Sequence, residues 1–261
     1  MLRKLMKYEF MATGRVFLPL FAALLLISAV NRVLSYLPSG TPFIIGSVAW
    51  GTLIAAISIL TLILTLQRFR SNLLSSEGYL TMTLPAGTNS IIFSKMFVAA
   101  IWAAASTITV IIAIAVMAST AFSVTDLIKG FAWFFSELFK TYSLGAILLI
   151  IECIVAAALL LFFGILMLYA CMSLSMLVNK RRGLFTFGAF IVMSTLMQTI
   201  SAFLIMLADG VNILQLIENL KLGEFGMSQL IAIFVIGALA IMSALFFYIT
   251  RHMLKNRLNL Q

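Results

Sequence analysis

The sequence predicts an all-α polytopic membrane protein with six transmembrane helices and both termini in the cytoplasm. Of the 261 residues, 63% are apolar and only 10% are charged, and the mean hydropathy is +1.17. A soluble domain is about half apolar and about a quarter charged. Six apolar runs reach the ~20 residues that a membrane-spanning helix needs, and the basic residues concentrate in alternate connections between them.

This composition excludes several classes of protein. The chain has too little polar surface for a cytoplasmic enzyme or a secreted disulfide-rich module, and too many large apolar residues for a disordered segment. Its apolar runs lack the alternation of outer-membrane strands. Cys153 and Cys171 lie inside apolar runs, so we expect neither a disulfide nor a metal site from them. His252 is expected to be solvated or to lie at headgroup level.

We expect one transmembrane domain over residues 1–261. Residues 1–15 form a basic amphipathic connecting helix, because the apolar positions from Leu2 to Phe17 fall on one helical face. The alternative is an unstructured basic leader. The six-helix bundle covers residues 16–250 and a cytoplasmic tail covers 251–261. The predicted spans are 16–37, 43–66, 96–122, 144–178, 184–208 and 230–250.

The connections differ in length. The inner segment 67–95 is longer than two adjacent helices require, which is typical of a functional connection. Within it, Ser71 or Asn72 can cap a short helix that extends to Met82, and Pro85 ends it. This helix is predicted to dock into a soluble partner, or alternatively to lie on the membrane surface. The outer segments 123–142 and 209–229 can each hold a short helix, and the first carries aromatic residues typical of a membrane interface.

The charges predict the topology. With the N-terminus inside, 13 of the 17 basic residues lie in inner segments and 4 in outer ones. Such an excess over short connections places both termini in the cytoplasm. The net charge of +9 is therefore a topology signal, and no nucleic-acid partner is expected. The inner basic residues are Arg3, Lys4, Lys7, Arg15, Arg68, Arg70, Lys95, Lys180, Arg181, Arg182, Arg251, Lys255 and Arg257, and Glu9 and Glu77 are the inner acids.

The chain lacks the common motifs of catalysis and nucleotide binding. It contains no G-x-x-x-x-G-K-[ST] phosphate loop, no H-E-x-x-H zinc motif and no G-x-S-x-G nucleophile elbow. We therefore expect no enzymatic activity, no cofactor and no metal in this chain.

The inner segment and the order of elements carry a resemblance to a known family. The segment contains Arg68 or Arg70, then Glu77-Gly78, Leu84-Pro85, Thr88 or Ser90, and Lys95. This pattern, with a connecting helix, six spans and two inner termini, resembles the permeases of type-2 ABC exporters. The outer segment between spans three and four is longer than the family pattern.

The resemblance implies a division of labour. A separate cytoplasmic ATPase binds ATP and contacts the permease through a coupling helix between spans two and three. A second permease, identical or related, completes the exporter in the cell membrane. Glu77 is then expected to pair with a basic group of the ATPase or of the connecting helix. The implied coupling residues are Arg68, Arg70, Leu73, Leu74, Glu77, Gly78, Tyr79 and Leu80.

The sequence does not identify the substrate. An amphipathic antimicrobial peptide, a drug or a lipid fits the resemblance. Two other classes remain, namely an ion-coupled secondary transporter and a membrane scaffold that transports nothing. Glu152 is the residue that bears on this choice, because a carboxylate inside a span usually faces a protein interior or a water-filled path. Glu152 is a candidate for the translocation pathway or for a structural hydrogen bond, with Gln198 as a possible partner.

Overall fold

The computed structural model describes residues 2–37, 40–71, 88–119, 123–178, 182–210 and 224–256. Within these ranges the chain is helical and contains no strand. Six of the helices are long and apolar enough to cross a membrane, which confirms the predicted multi-pass architecture. The helices are α1 (Leu2–Leu34), α2 (Thr41–Phe69), α3 (Thr88–Ala118), α4 (Val124–Tyr142), α5 (Gly145–Ser175), α6 (Arg182–Gly210) and α7 (Glu224–Asn256).

The helix boundaries differ from the prediction at both ends of the chain. The connecting helix and the first span, predicted as separate segments, form the single helix α1, with Pro19 inside it. At the other end α7 continues to Asn256, through the first half of the predicted tail. The coupling helix predicted at 71–82 lies outside the described residues except for Ser71, and so does most of the segment 209–229.

Helices α1, α2 and α3 belong to one compact unit, which also includes residues 124–137 of α4. Within it, α1 packs against both α2 and α3. Its core joins Phe17, Phe21 and Leu24 of α1 to Ile57 of α2 and to residues of α3 that include Trp102. Polar side chains also link these helices. Thr61 and Ser106 share a hydrogen bond of 3.1 Å between α2 and α3. Such interhelical hydrogen bonds help to hold helices together in lipid, where apolar side chains gain little from leaving the solvent.

The absence of a side chain at Gly46 allows α1 and α2 to approach closely. Asn31 of α1 is fully buried, and its Nδ2 donates a long hydrogen bond of 3.5 Å to Ser47 Oγ of α2. A β-carbon at Gly46 would collide with the Asn31 amide. The small residue therefore makes room for a polar side chain between two candidate spans.

Helices α5, α6 and α7 form a second compact unit, in which α5 packs against both α6 and α7. The rings of Phe163 and Phe246 lie 5.5 Å apart at the α5–α7 contact. A two-residue turn, Ser143–Leu144, leads from α4 into α5. Ser143 has a φ of 48°, and its N–H donates to Phe139 O at 2.9 Å, so it ends α4 in the left-handed conformation. The helix predicted within 123–142 is thus confirmed as α4.

Candidate functional site

Three charged side chains from three helices meet in the first unit. Glu9 of α1 accepts from Arg68 Nη1 of α2 at 3.0 Å, through Oε2. Its other carboxylate oxygen, Oε1, accepts from Lys95 Nζ of α3 at 2.7 Å. We call these three residues the Glu9 junction. A single carboxylate therefore ties α1, α2 and α3 together.

The sequence places each of these residues at a helix position that makes the contact possible. Glu9 lies three and seven positions after Met6 and Leu2, so it continues the apolar stripe of α1 instead of facing away from the other helices. Arg68 is in the last turn of α2. Lys95 lies about two turns into α3, among buried neighbours such as Ile92 and Met96. The end of α2 and the beginning of α3 thus converge on the first turns of α1.

Burial makes the junction sensitive to the loss of any one charge. The Lys95 side chain is 6% exposed, that of Glu9 15% and that of Arg68 29%. Removing such ions from water costs several kcal/mol each, and their mutual attraction offsets this cost only while all partners are present. Arg68 Nε is buried and has no hydrogen-bond partner among the described residues. The cluster carries one more positive than negative charge.

An aromatic cluster fixes α1 against α3 next to the junction. The Trp102 ring of α3 stacks on Phe10 at 4.8 Å and on Phe17 at 5.1 Å between ring centroids. Gly14 lies between these two phenylalanines in the sequence, and a β-carbon there would come within 3.1 Å of the Trp102 ring. The small residue lets the indole lie close to the α1 backbone. The ionic contact and the aromatic contact therefore hold the same stretch of α1.

Only two of the residues predicted for ATPase coupling, Arg68 and Arg70, are among the described residues. Arg68 belongs to the Glu9 junction, whereas Arg70 is exposed just beyond α2. The others, from Leu73 to Leu80 and including Glu77, lie outside the described residues. The sequence analysis did not identify Glu9 as a site residue and predicted a role for Glu77 instead. The available signal was the position of Glu9 on the apolar stripe of the connecting helix, where a solvated acid is not expected.

Glu152 is hydrogen-bonded within the second unit, but not to the predicted partner. Gln229 Nε2 of α7 donates to Glu152 Oε2 of α5 at 3.1 Å. Gln198 lies exposed on α6. The structure therefore replaces Gln198 by Gln229 as the partner, because α7 packs along the face of α5 that carries Glu152.

The described side chains form ion pairs and hydrogen bonds between helices. In the described ranges no three His, Cys, Asp or Glu side chains are grouped so that they could hold a metal ion. In the Glu9 junction the two cations are already paired with the carboxylate. The junction thus connects α1 to the end of α2 and the beginning of α3. Comparison of the chain with protein-family models, curated proteins and solved structures gives no match.

Proposed function

We propose that the chain is the membrane-spanning permease subunit of an ATP-binding-cassette exporter in the cell membrane. A separate cytoplasmic subunit binds and hydrolyses ATP. The permease works together with a second copy of itself or a related permease, and it moves an amphipathic molecule, such as an antimicrobial peptide, a drug or a lipid, out of the cell. This proposal is supported by the segment between Arg68 and Lys95, which resembles the corresponding segment of type-2 exporter permeases.

The Glu9 junction is the observation that carries the proposal. Arg68 and Lys95 flank the coupling helix predicted at 71–82, and both bind the same carboxylate of α1. A displacement of that segment by an ATPase would pull on the ends of α2 and α3. Through Glu9 the same displacement would reach α1, so α1, α2 and α3 would move together.

The distribution of charge supports the proposed orientation. The Glu9 junction lies at the helix ends that the positive-inside rule assigns to the cytoplasm. There an ATPase has access to the segment between α2 and α3. Both termini are cytoplasmic in this arrangement, and α4 lies on the outer side.

Reversing the charge of Glu77 tests the coupling to an ATPase. In the tagged full-length protein purified from its native membrane in mild detergent, we expect an ATPase subunit, identified by mass spectrometry, to co-elute together with vanadate-sensitive ATP hydrolysis. Glu77→Arg should lower the co-eluting activity by about tenfold, equivalent to ~1.4 kcal/mol of lost affinity.

Glu137→Arg, the same substitution on the exposed helix α4, is the matched control and should leave the co-eluting ATPase unchanged. Full transport by the purified chain in proteoliposomes that contain no ATPase would refute the proposal. It would favour a secondary transporter instead.

Glu152→Gln separates a transport role from a structural one. The amide oxygen of the new side chain can still accept from Gln229, so expression and thermal stability should be retained while transport falls if the carboxylate lines the pathway. Gln229→Leu is the complementary variant, because it removes the hydrogen bond but keeps the carboxylate, at a cost of about 1 kcal/mol. Wild-type transport by Glu152→Gln at normal expression would exclude Glu152 from the pathway.

A further inference from the structure

Helix α4 differs from the other helices in how its side chains are distributed. Successive residues of an α-helix are rotated by about 100°, and this places the apolar and polar residues of α4 on opposite faces. The apolar face consists of Ile128, Phe131, Phe134, Phe135, Leu138 and Phe139. The other face carries Asp126, Lys129, Glu137 and Lys140, with Trp133 in the middle of it.

The apolar face of α4 is largely uncovered. Leu138 is half-buried, but the other five residues of this face are between 42% and 66% exposed. Exposed apolar side chains are also found on the candidate spans, where lipid surrounds the helix. The spans are apolar around most of their circumference, whereas α4 has four charged residues among its 19. A one-sided helix of this kind is typical of the membrane–water boundary and not of a span.

The connections of α4 place it at that boundary. It follows α3 after Ser119 to Ser123, and the two residues Ser143 and Leu144 separate it from α5. Since α3 and α5 are both candidate spans, each end of α4 would lie near a membrane surface. The end of α3 that leads to α4 is opposite to the end that carries Lys95. At ~1.5 Å per residue α4 is about 28 Å long, long enough to cover a considerable stretch of surface when it lies flat.

We propose that α4 lies flat in the lipid–water interface on the side of the membrane opposite to the Glu9 junction. Its phenylalanine face enters the headgroup–acyl boundary by about 5–10 Å, and Trp133 faces water with the charged residues. Two acids and two bases balance each other on the polar face. Binding is therefore driven by apolar area, and a zwitterionic bilayer suffices. This inference goes beyond the proposed export function and does not depend on it.

Spin labels on the two faces of α4 test the proposal in the full-length chain. Cys153, which is exposed, is replaced by alanine, and Cys171 is buried and is retained. Labels are introduced at Phe131→Cys on the apolar face and at Trp133→Cys on the polar face, in phosphatidylcholine proteoliposomes. Both positions are 66% exposed, so the variants should fold. Phe135→Cys provides a second apolar position.

The two faces should respond differently to collision reagents. At positions 131 and 135 we expect high accessibility to oxygen and low accessibility to a water-soluble nickel chelate, as in the lipid interior. At position 133 we expect the reverse. Ile154→Cys, at a 64% exposed position of the candidate span α5, calibrates the lipid limit.

Two results would overturn the inference. Equal access of the nickel chelate to all three positions would show that α4 stands in water. Low access of both reagents to positions 131 and 135, with spin–spin broadening that disappears when labelled chains are diluted with unlabelled ones, would show that a second copy of the chain covers this face instead of lipid.

Discussion

Glu9→Gln is expected to destabilise the first unit by about 3 kcal/mol, the order of effect seen when one partner is removed from a buried ion pair. Glutamine has nearly the same shape, but it leaves Lys95 and Arg68 as neighbouring cations without a carboxylate between them. Lys95 is the more affected of the two because its side chain is 6% exposed and cannot reach bulk water. Thermal unfolding of the purified protein in detergent measures the loss as a lower Tm.

Two further variants show whether the effect arises from the charge. Glu137→Gln removes a carboxylate from exposed α4 and should leave Tm unchanged, since exposed charges contribute little. The double variant Glu9→Gln/Lys95→Met removes both members of the shorter contact and should recover part of the lost stability. If Glu9→Gln unfolds at the wild-type temperature, Glu9 does not hold the three helices together.

Trp102→Ala is expected to cost 3–5 kcal/mol, the usual range for deleting a large aromatic side chain from a packed interior. The indole is 5% exposed and stacks on Phe10 and Phe17 of α1. In lipid the loss comes from missing van der Waals contacts, because the surrounding acyl chains are as apolar as the helix surfaces. Protease protection of the α1 region and Tm should both decrease.

Trp133→Ala is the matched control for this substitution. Trp133 is 66% exposed on α4, so its removal should change the free energy of unfolding by less than about 0.5 kcal/mol and leave Tm nearly unchanged. Trp102→Phe should fall between the two, because a smaller ring keeps part of the stack. Equal Tm values for the Trp102→Ala and Trp133→Ala variants would contradict the role of Trp102 in fixing α1 against α3.

The sequence predicts the six apolar helices because each requires only local information. A run of about 20 apolar residues is sufficient evidence for a span wherever its neighbours lie. The sequence did not predict that α1 is a single helix. The change at residue 16 from a basic amphipathic stretch to an apolar one resembles the boundary between two helices. One helix can carry both patterns, and Gly14 is tolerated inside it because its small size accommodates Trp102.

The candidate site depends on contacts that local patterns do not reveal. Glu9 is separated from Arg68 by 59 positions and from Lys95 by 86. The distribution of charges predicts that all three residues lie on one side of the membrane. It does not predict which helices are adjacent. The same limit explains the choice of Gln198 as the partner of Glu152. Gln198 lies in the predicted fifth span and Gln229 at the end of the predicted outer segment 209–229. The packing of α7 on α5, which brings Gln229 to Glu152, decides between them.

The long separation between Glu9 and Lys95 has a consequence for biogenesis. The ribosome completes α1 well before it makes α3, so Glu9 is synthesised before its closer cation, Lys95, exists. Arg68 is synthesised before Lys95 and is therefore the first of the two cations available to Glu9. The N-terminal helix therefore makes its complete set of contacts only after the third helix has been synthesised. A nascent chain released before residue 88 would lack the contact between Glu9 and Lys95.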